Sequence, residues 1–369
     1  SSKTPMKVHE ITSQLEKLAP LLYAEDFDNV GLLVGDKNAE TTGVLITHDT
    51  LEKTIDEAVE KRCNLIISFH PIIFKGLKRL TGKTYVERVV MKALKNDISI
   101  YAIHTALDNS FQGVNAKICE KLGLQNRQVL IPQPGTIKKL TTYVPVEDSD
   151  KVRQAVFSAG GGAIGNYDHC SFNIDGQGSF KGNEASSPVK GEKGKLHFEK
   201  ETQLNITFPK DREAAVLKAL FGAHPYEEVA YEIASLDNKN QHIGIGMHGE
   251  LPSPLSEKDF FEKLKSTFGL KVIRHSALLG KPIRKAAVLG GSGAFAIEAA
   301  KAVKADVYVS ADFKYHDFFR AEKQLVLADI GHYETEQFTK ELIYDYLTKK
   351  IRNFAIVLSK KSTNPIQYT

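Results

Sequence analysis

The 369-residue sequence has no tryptophan and only three cysteines. Cys63, Cys119 and Cys170 are widely spaced and odd in number, which excludes the disulfide framework of a small secreted domain and does not resemble a zinc ribbon. No G-x-S-x-G nucleophile elbow occurs, and the cysteines fall in stretches that read as helix or strand, so a Ser or Cys triad is not expected. Long apolar runs are missing too. None approaches the roughly 18 to 20 residues that span a bilayer, and the opening SSKTPMK has no apolar core for a signal peptide. These absences lead us to expect a cytoplasmic protein in a reducing compartment, with no membrane partner. An excess of one charge is also lacking: Lys plus Arg number 49 against 45 Asp plus Glu, interleaved, for a net charge of +4. That leaves no basic footprint for nucleic acid or anionic lipid.

What remains is ordinary globular material, 42% hydrophobic and 25% charged, which excludes disorder, collagen and coiled coil. At roughly 100 to 200 residues per domain, the length predicts two or three domains. From Lys7 to about Leu124, helical periodicity over Val8–Ala19, Leu51–Lys61 and Thr84–Lys95 alternates with short strands at Gly43–Thr47, Asn64–Ser68 and Ile98–Ile103. That alternation predicts a parallel sheet covered on both faces. NRQVLIPQPGTIKK (126–139), with two prolines and a glycine, reads as a linker. The stretch after it reads as strand Leu140–Val144, helix Ser149–Ser158, strand His169–Ile174, a loop, strand Gln203–Phe208, helix Asp211–Phe221 and strand Val229–Ile233. The order βαββαβ predicts a ferredoxin-like plait. From Phe260 onward helix and strand alternate again, ending with strand Leu325–Asp329, helix Glu334–Lys349 and strand Phe354–Leu358. The expected fold class is therefore α/β: one discontinuous unit of two related α/β halves, 1–130 and 242–369, interrupted by an α+β insert at 137–238.

Three strand ends carry chemistry. NLIIS delivers His70, the strand ending at Ile103 delivers His104 with Asp108 four residues on, and QLVLAD leads to His332 with Glu336 four residues on. Open α/β sheets hold ligands at such carboxyl ends. If a helix begins near His332, its β-carbon lies about 5 to 6 Å from that of Glu336, close enough to share an ion. Glu334 points elsewhere and suits a helix entry. A lone strand-end histidine is more often a hydrogen-bonded structural residue than a ligand. Three in one chain, two with a carboxylate at the same spacing, make a mixed imidazole and carboxylate site for zinc, iron or manganese an even alternative. His9, His197, His242, His248 and His275 lack that context and are assigned no role. Gly160, Gly162 and Gly165 match the G-x-G-x-x-G spacing but follow a helix, so a turn is the expected reading. Gly290, Gly291 and Gly293 follow a strand and precede a helix, which allows either an anion cradle or close packing.

FDNVGLLVGD (27–36), SFHPIIFKGLKRL (68–80), HTALDNSFQGVN (104–115), VLGGSGAF, ADVYVSADFKYHD (305–317) and GHYETE (331–336) together resemble the Nif-three-like dinuclear metal-centre family. Its bacterial members carry the name GTP cyclohydrolase I type 2 homolog, and the resemblance covers nearly the whole chain. NYDHCSF (166–172) and AHPYEEVAYE (223–232) are similar to the PII-like or CutA-like insert of the longer members. The resemblance implies two divalent metal ions, zinc first and iron or manganese as alternatives, held by His70, His104, Asp108, His332 and Glu336. It implies a ring-shaped homohexamer whose cavity is lined by the Lys314 to Asp317 stretch, with His316 as a catalytic proton-transfer candidate. The implied activity is metal-dependent hydrolysis of a small, nucleotide-like molecule, with GTP opened at C8 to release formate as the specific form. A metal-binding scaffold or regulator with a ligand-sensing insert is the competing expectation. Two departures stand out: Phe69 occupies a position where many short members have a second histidine, and His48 in LITHDT one where an apolar residue is more usual.

Overall fold

The computed structural model describes residues 5–164 and 166–369. Ser1–Thr4, part of the SSKTPMK stretch, and Gly165, the third glycine of GGGAIG, lie outside the described residues. The chain divides into two units, one running to Pro132 and resuming at Gln241, the other spanning Gln133–Asn240.

In the first unit, β-branched runs make two large sheets, beside the short pair Met6–Lys7 and Glu40–Thr41. One has the order Ile356–Leu358, Val44–Thr47, Leu65–Ser68, Ser99–Ala102, Gly31–Val34; the first four strands are parallel and the last antiparallel. Alternation decides its two faces. Val44, Ile46, Leu65 and Ile67 enter a core shared with Ile283, Val288, Val307 and Val309, whereas Leu45 and Ile66 pack beneath helices Glu52–Glu60 and Tyr85–Lys95. The central strands are buried on both sides, which is why they read as unbroken apolar runs. Tyr85–Lys95 opens on a capping box in which the Thr84 hydroxyl accepts from Glu87 N and the Glu87 carboxylate accepts from Thr84 N.

The other sheet runs Arg274–His275, Val326–Asp329, Val307–Ala311, Ile283–Ser292, Gly244–Leu255, Gln125–Pro132, with parallel pairing only among the Val326, Val307 and Ile283 strands. The sequence expectation of purely parallel sheets is thus corrected to mixed α/β sheets. The expected linker is corrected as well: Gln125–Pro132 and Ile137–Pro145 are both strands, joined by a short turn. Pro132 is tolerated because it ends an edge strand, where no ladder donor is required. The Gly244–Leu255 strand escaped the sequence reading because glycines and prolines dilute its apolar alternation.

The second unit has the sheet order Tyr231–Ser235, Ile137–Pro145, His197–Pro209, Phe172–Phe180, all antiparallel, with helices Ser149–Ser158 and Glu213–Ala223 over one face. Leu140, Val144, Leu204, Ile206 and Phe208 pack under those helices. The expected βαββαβ order is present, but the second strand runs to Phe180, through residues that read as loop. Only Cys119 of the three cysteines lies inside a helix or strand, and all three are free. Among the described residues no helix is long and apolar enough to cross a membrane.

Candidate metal centre

Parallel strands Val44–Thr47, Leu65–Ser68 and Ser99–Ala102 end side by side, so the residues that follow them meet in one place. His70 N donates to His48 O at 3.0 Å, and His104 N to Phe69 O at 2.8 Å, carrying the ladder one step beyond the strands. From the other sheet, Val326–Asp329 turns through Gly331, at φ 98°, into the single helical turn His332–Glu336.

The imidazoles converge on one carboxylate oxygen. Glu336 Oε1 lies 2.9 Å from His332 Nε2, 3.1 Å from His70 Nε2 and 3.3 Å from His48 Nε2. One oxygen cannot accept three well-directed hydrogen bonds, and Glu336 Oε1 has no partner in hydrogen-bond geometry. Both ring nitrogens of His48 and Oδ1 of Asp108 are likewise buried without a partner. The His104 ring completes the group, with its centroid 5.0 Å from that of His70. Donor atoms of His48, His70 and Glu336 lie within 4.8 Å of one another. Orphaned imidazole and carboxylate atoms facing each other are what a divalent cation satisfies, and the nitrogen and oxygen mixture suits zinc, iron or manganese.

The other ring nitrogen of three histidines is fixed by an aspartate. His70 Nδ1 lies 2.8 Å from Asp49 Oδ1, His104 Nδ1 2.9 Å from Asp28 Oδ1, and His332 Nδ1 2.7 Å from Asp312 Oδ2. A carboxylate on Nδ1 selects the tautomer that leaves the Nε2 lone pair free, the arrangement that supports metal-bound histidine. These aspartates are held in turn. Thr363 Oγ1 donates to Asp49 Oδ2, Thr105 N and Oγ1 to Asp28 Oδ2, and Ser292 Oγ to Asp312 Oδ2.

Burial opposes charge on His70 and His332, but Asp49, Asp312 and Glu336 outweigh it and push both pKa values up to about 10. Glu336, despite burial, is held well below the usual carboxylate range by its contacts with His332, His48 and His70. Asp108 goes the other way: burial, then the nearby Glu336 charge, pushes its carboxyl well above that range. The pocket therefore stores protons that a cation would have to displace.

The glycines of VLGGSGAF prove to be packing devices. Gly290 N donates to Asn115 Oδ1 and Gly291 N to Thr335 Oγ1, both at 2.9 Å, and Gly293 N to Ala311 O, so these amides are already satisfied. Gly291 has φ 84°, and a Cβ there would stand 2.8 Å from Glu336 Oε2. The anion-cradle alternative is set aside in favour of close approach to the metal-site glutamate.

Of the residues singled out from sequence, His70, His332 and Glu336 meet directly. His104 adjoins them, and Asp108 is buried within reach of their charges. Glu334 accepts a hydrogen bond from Asn364 and makes no contact with the histidines by hydrogen bond or ion pair. His316 lies exposed on the 3-10 segment Tyr315–Ala321, with ring contacts to Tyr315 and Phe319 and none to the histidine group. His48 was singled out only as a departure, yet it sits inside the cluster. The signal available was its place at the end of a strand adjoining the one that delivers His70.

The sequence pattern of the family described as Duf34/NIF3 (NGG1p interacting factor 3) matches residues 6–365. The GTP cyclohydrolase 1 type 2 homolog of Bacillus subtilis is 38% identical over 365 residues, covering 97% of this chain and 98% of that one. The protein of the same name from Halalkalibacterium halodurans is 35% identical over 359 residues, with 96% of each chain covered. The crystal structure of a Bacillus cereus protein related to NIF3 superposes with a TM-score of 0.86 at 37% identity, over the whole of both chains. The chain belongs to the Duf34/NIF3 family.

Proposed function

We propose that this protein is a metal-dependent hydrolase whose centre holds two divalent ions, zinc first and iron or manganese as alternatives, on His70, His104, Asp108, His332 and Glu336. The observation that carries this reading is the convergence of three imidazole Nε2 atoms on Glu336 Oε1, with His70 and His332 locked by aspartates on Nδ1. When bound, such ions lower the pKa of a coordinated water toward neutrality and polarise the bond under attack. The protein's part is to fix the imidazoles, keep Glu336 ionised and hold Asp108 as a buried acid that yields its proton to a cation. His316, exposed and apart from the histidine group, is retained only as a candidate proton carrier for a substrate that reaches both.

The names of the relatives support a purine nucleotide such as GTP as the substrate class; the ring-shaped homohexamer and a cytoplasmic site of action belong to the same proposal. We also assign the second unit to the ferredoxin-like, PII-like or CutA-like class, supported by its βαββαβ order and its sheet order. The deciding assay incubates metal-replete protein with GTP and follows pterin fluorescence. Product from wild type that is lost in His332→Ala supports cyclohydrolysis. No product, or equal product from the variant, overturns it and leaves the metal-binding scaffold as the reading.

A further inference from the structure

We propose that the cavity on the helix-free face of the second unit's sheet is a binding site for a small organic cation, an amidinium or ammonium group on a compact, flat skeleton. The cavity measures about 470 Å³, within the range that encloses a small organic ligand. Tyr143 and Glu201 project into it from neighbouring strands, on the side opposite core residues Val144 and Leu204; the chain from Lys181 to Lys190 and the segment Tyr226 to Ala230 complete the lining.

Glu201 marks this as a built site. The residue is only 9% exposed, and among the described residues no cation pairs with it. Its carboxylate lies across the neighbouring strand at Gly178, where a Cβ would stand 1.6 Å from Glu201 Oε1. A glycine in a strand interior weakens the strand, so its presence here reflects the space the carboxylate takes. The Tyr226 hydroxyl, also lining the cavity and buried, faces the Glu201 carboxylate, short of good hydrogen-bond geometry but close enough that each shifts the other's pKa, so the acid meets a neutral donor and no cation. Burial pushes the Glu201 carboxyl up, the cost of an acid facing a cavity without a counter-charge.

The charges of the lining select the ligand. Glu201, Glu227 and Glu228 face Lys181 and Lys190, and Lys190 is already held by Glu147 at 2.7 Å. The remaining imbalance is negative. Tyr143, Phe180 and Tyr226 provide aromatic faces, and rings with carboxylates are how proteins hold organic cations. An amidinium offers two parallel N–H donors that match one carboxylate.

The test is calorimetric titration of the full chain with benzamidinium, and with benzamide as its neutral isostere. The expected result is saturable one-to-one binding with Kd below about 1 mM, at least about tenfold weaker with benzamide and in Glu201→Gln. Gly178→Ala, which pushes the carboxylate aside, gives a second variant should Glu201→Gln fold poorly. Circular dichroism and thermal unfolding of the full chain serve as the folding control and stay as in wild type. Equal binding of the two probes, wild-type binding by both variants, or no saturable binding overturns the proposal.

Discussion

The His48 ring lies flat against Phe69, with centroids 5.3 Å apart and planes 21° from parallel, and its Nε2 stands 3.3 Å from Glu336 Oε1. Phe69 has no donor atom, so the imidazole reaching the site beside His70 comes from the neighbouring strand. His48→Ala should weaken one metal equivalent at least about tenfold. The double variant His48→Leu with Phe69→His should recover part of that loss. Titration with Co2+, read by its visible absorption, checks both; an unchanged spectrum and stoichiometry in His48→Ala would show that His48 takes no part in holding metal.

The aspartates on Nδ1 give a second prediction. Asp49→Asn and Asp312→Asn should each lower metal affinity by about 10- to 100-fold, because the His70 and His332 rings lose their tautomer and their orientation. Thr363→Val, which removes only the hydroxyl bonded to Asp49, should cost less. Competition with a chromophoric chelator measures all three. Affinities equal to wild type would mean that the aspartates are not supports of a metal site.

How much of this was legible in the sequence follows from where the signals lie. His70, His332 and Glu336 could be found because strand ends and an i, i+4 step are local patterns. The aspartate partners could not, since Asp28 and His104 are 76 residues apart, Asp312 and His332 20 apart, and Thr363 reaches Asp49 across 314. The helix and strand alternation gave the central strands, whose burial on both faces makes them unmistakable. Edge strands such as Gln125–Pro132 were hidden by the prolines that an edge can tolerate.

The protons held by His70 and His332 set a pH dependence. Both pKa values, about 10, lie above the ordinary 6.5, so the folded protein binds these protons more tightly than the unfolded chain. The stability they contribute is complete below pH 6.5 and is lost as pH rises through about 10. Urea unfolding in chelator should show a falling midpoint over that window. Metal addition at neutral pH should release protons, which a weakly buffered dye detects. A flat midpoint and no proton release would contradict the electrostatics described for the site.

Gly291→Ala tests the close approach behind Glu336. The left-handed backbone and a Cβ 2.8 Å from the carboxylate should together cost about 1–3 kcal/mol and displace the carboxylate. Thermal unfolding with and without metal measures both effects. A variant as stable as wild type and with the same metal affinity would show that the site does not depend on this contact.

The central claim is that Glu336 and its converging histidines hold metal. Its most direct test is metal analysis of the purified native protein beside Glu336→Ala, with circular dichroism confirming that both are folded. The account predicts two divalent ions per wild-type chain and a marked loss in the variant. Wild-type protein that holds no ion after metal loading, or a variant that holds as much as wild type, would contradict it.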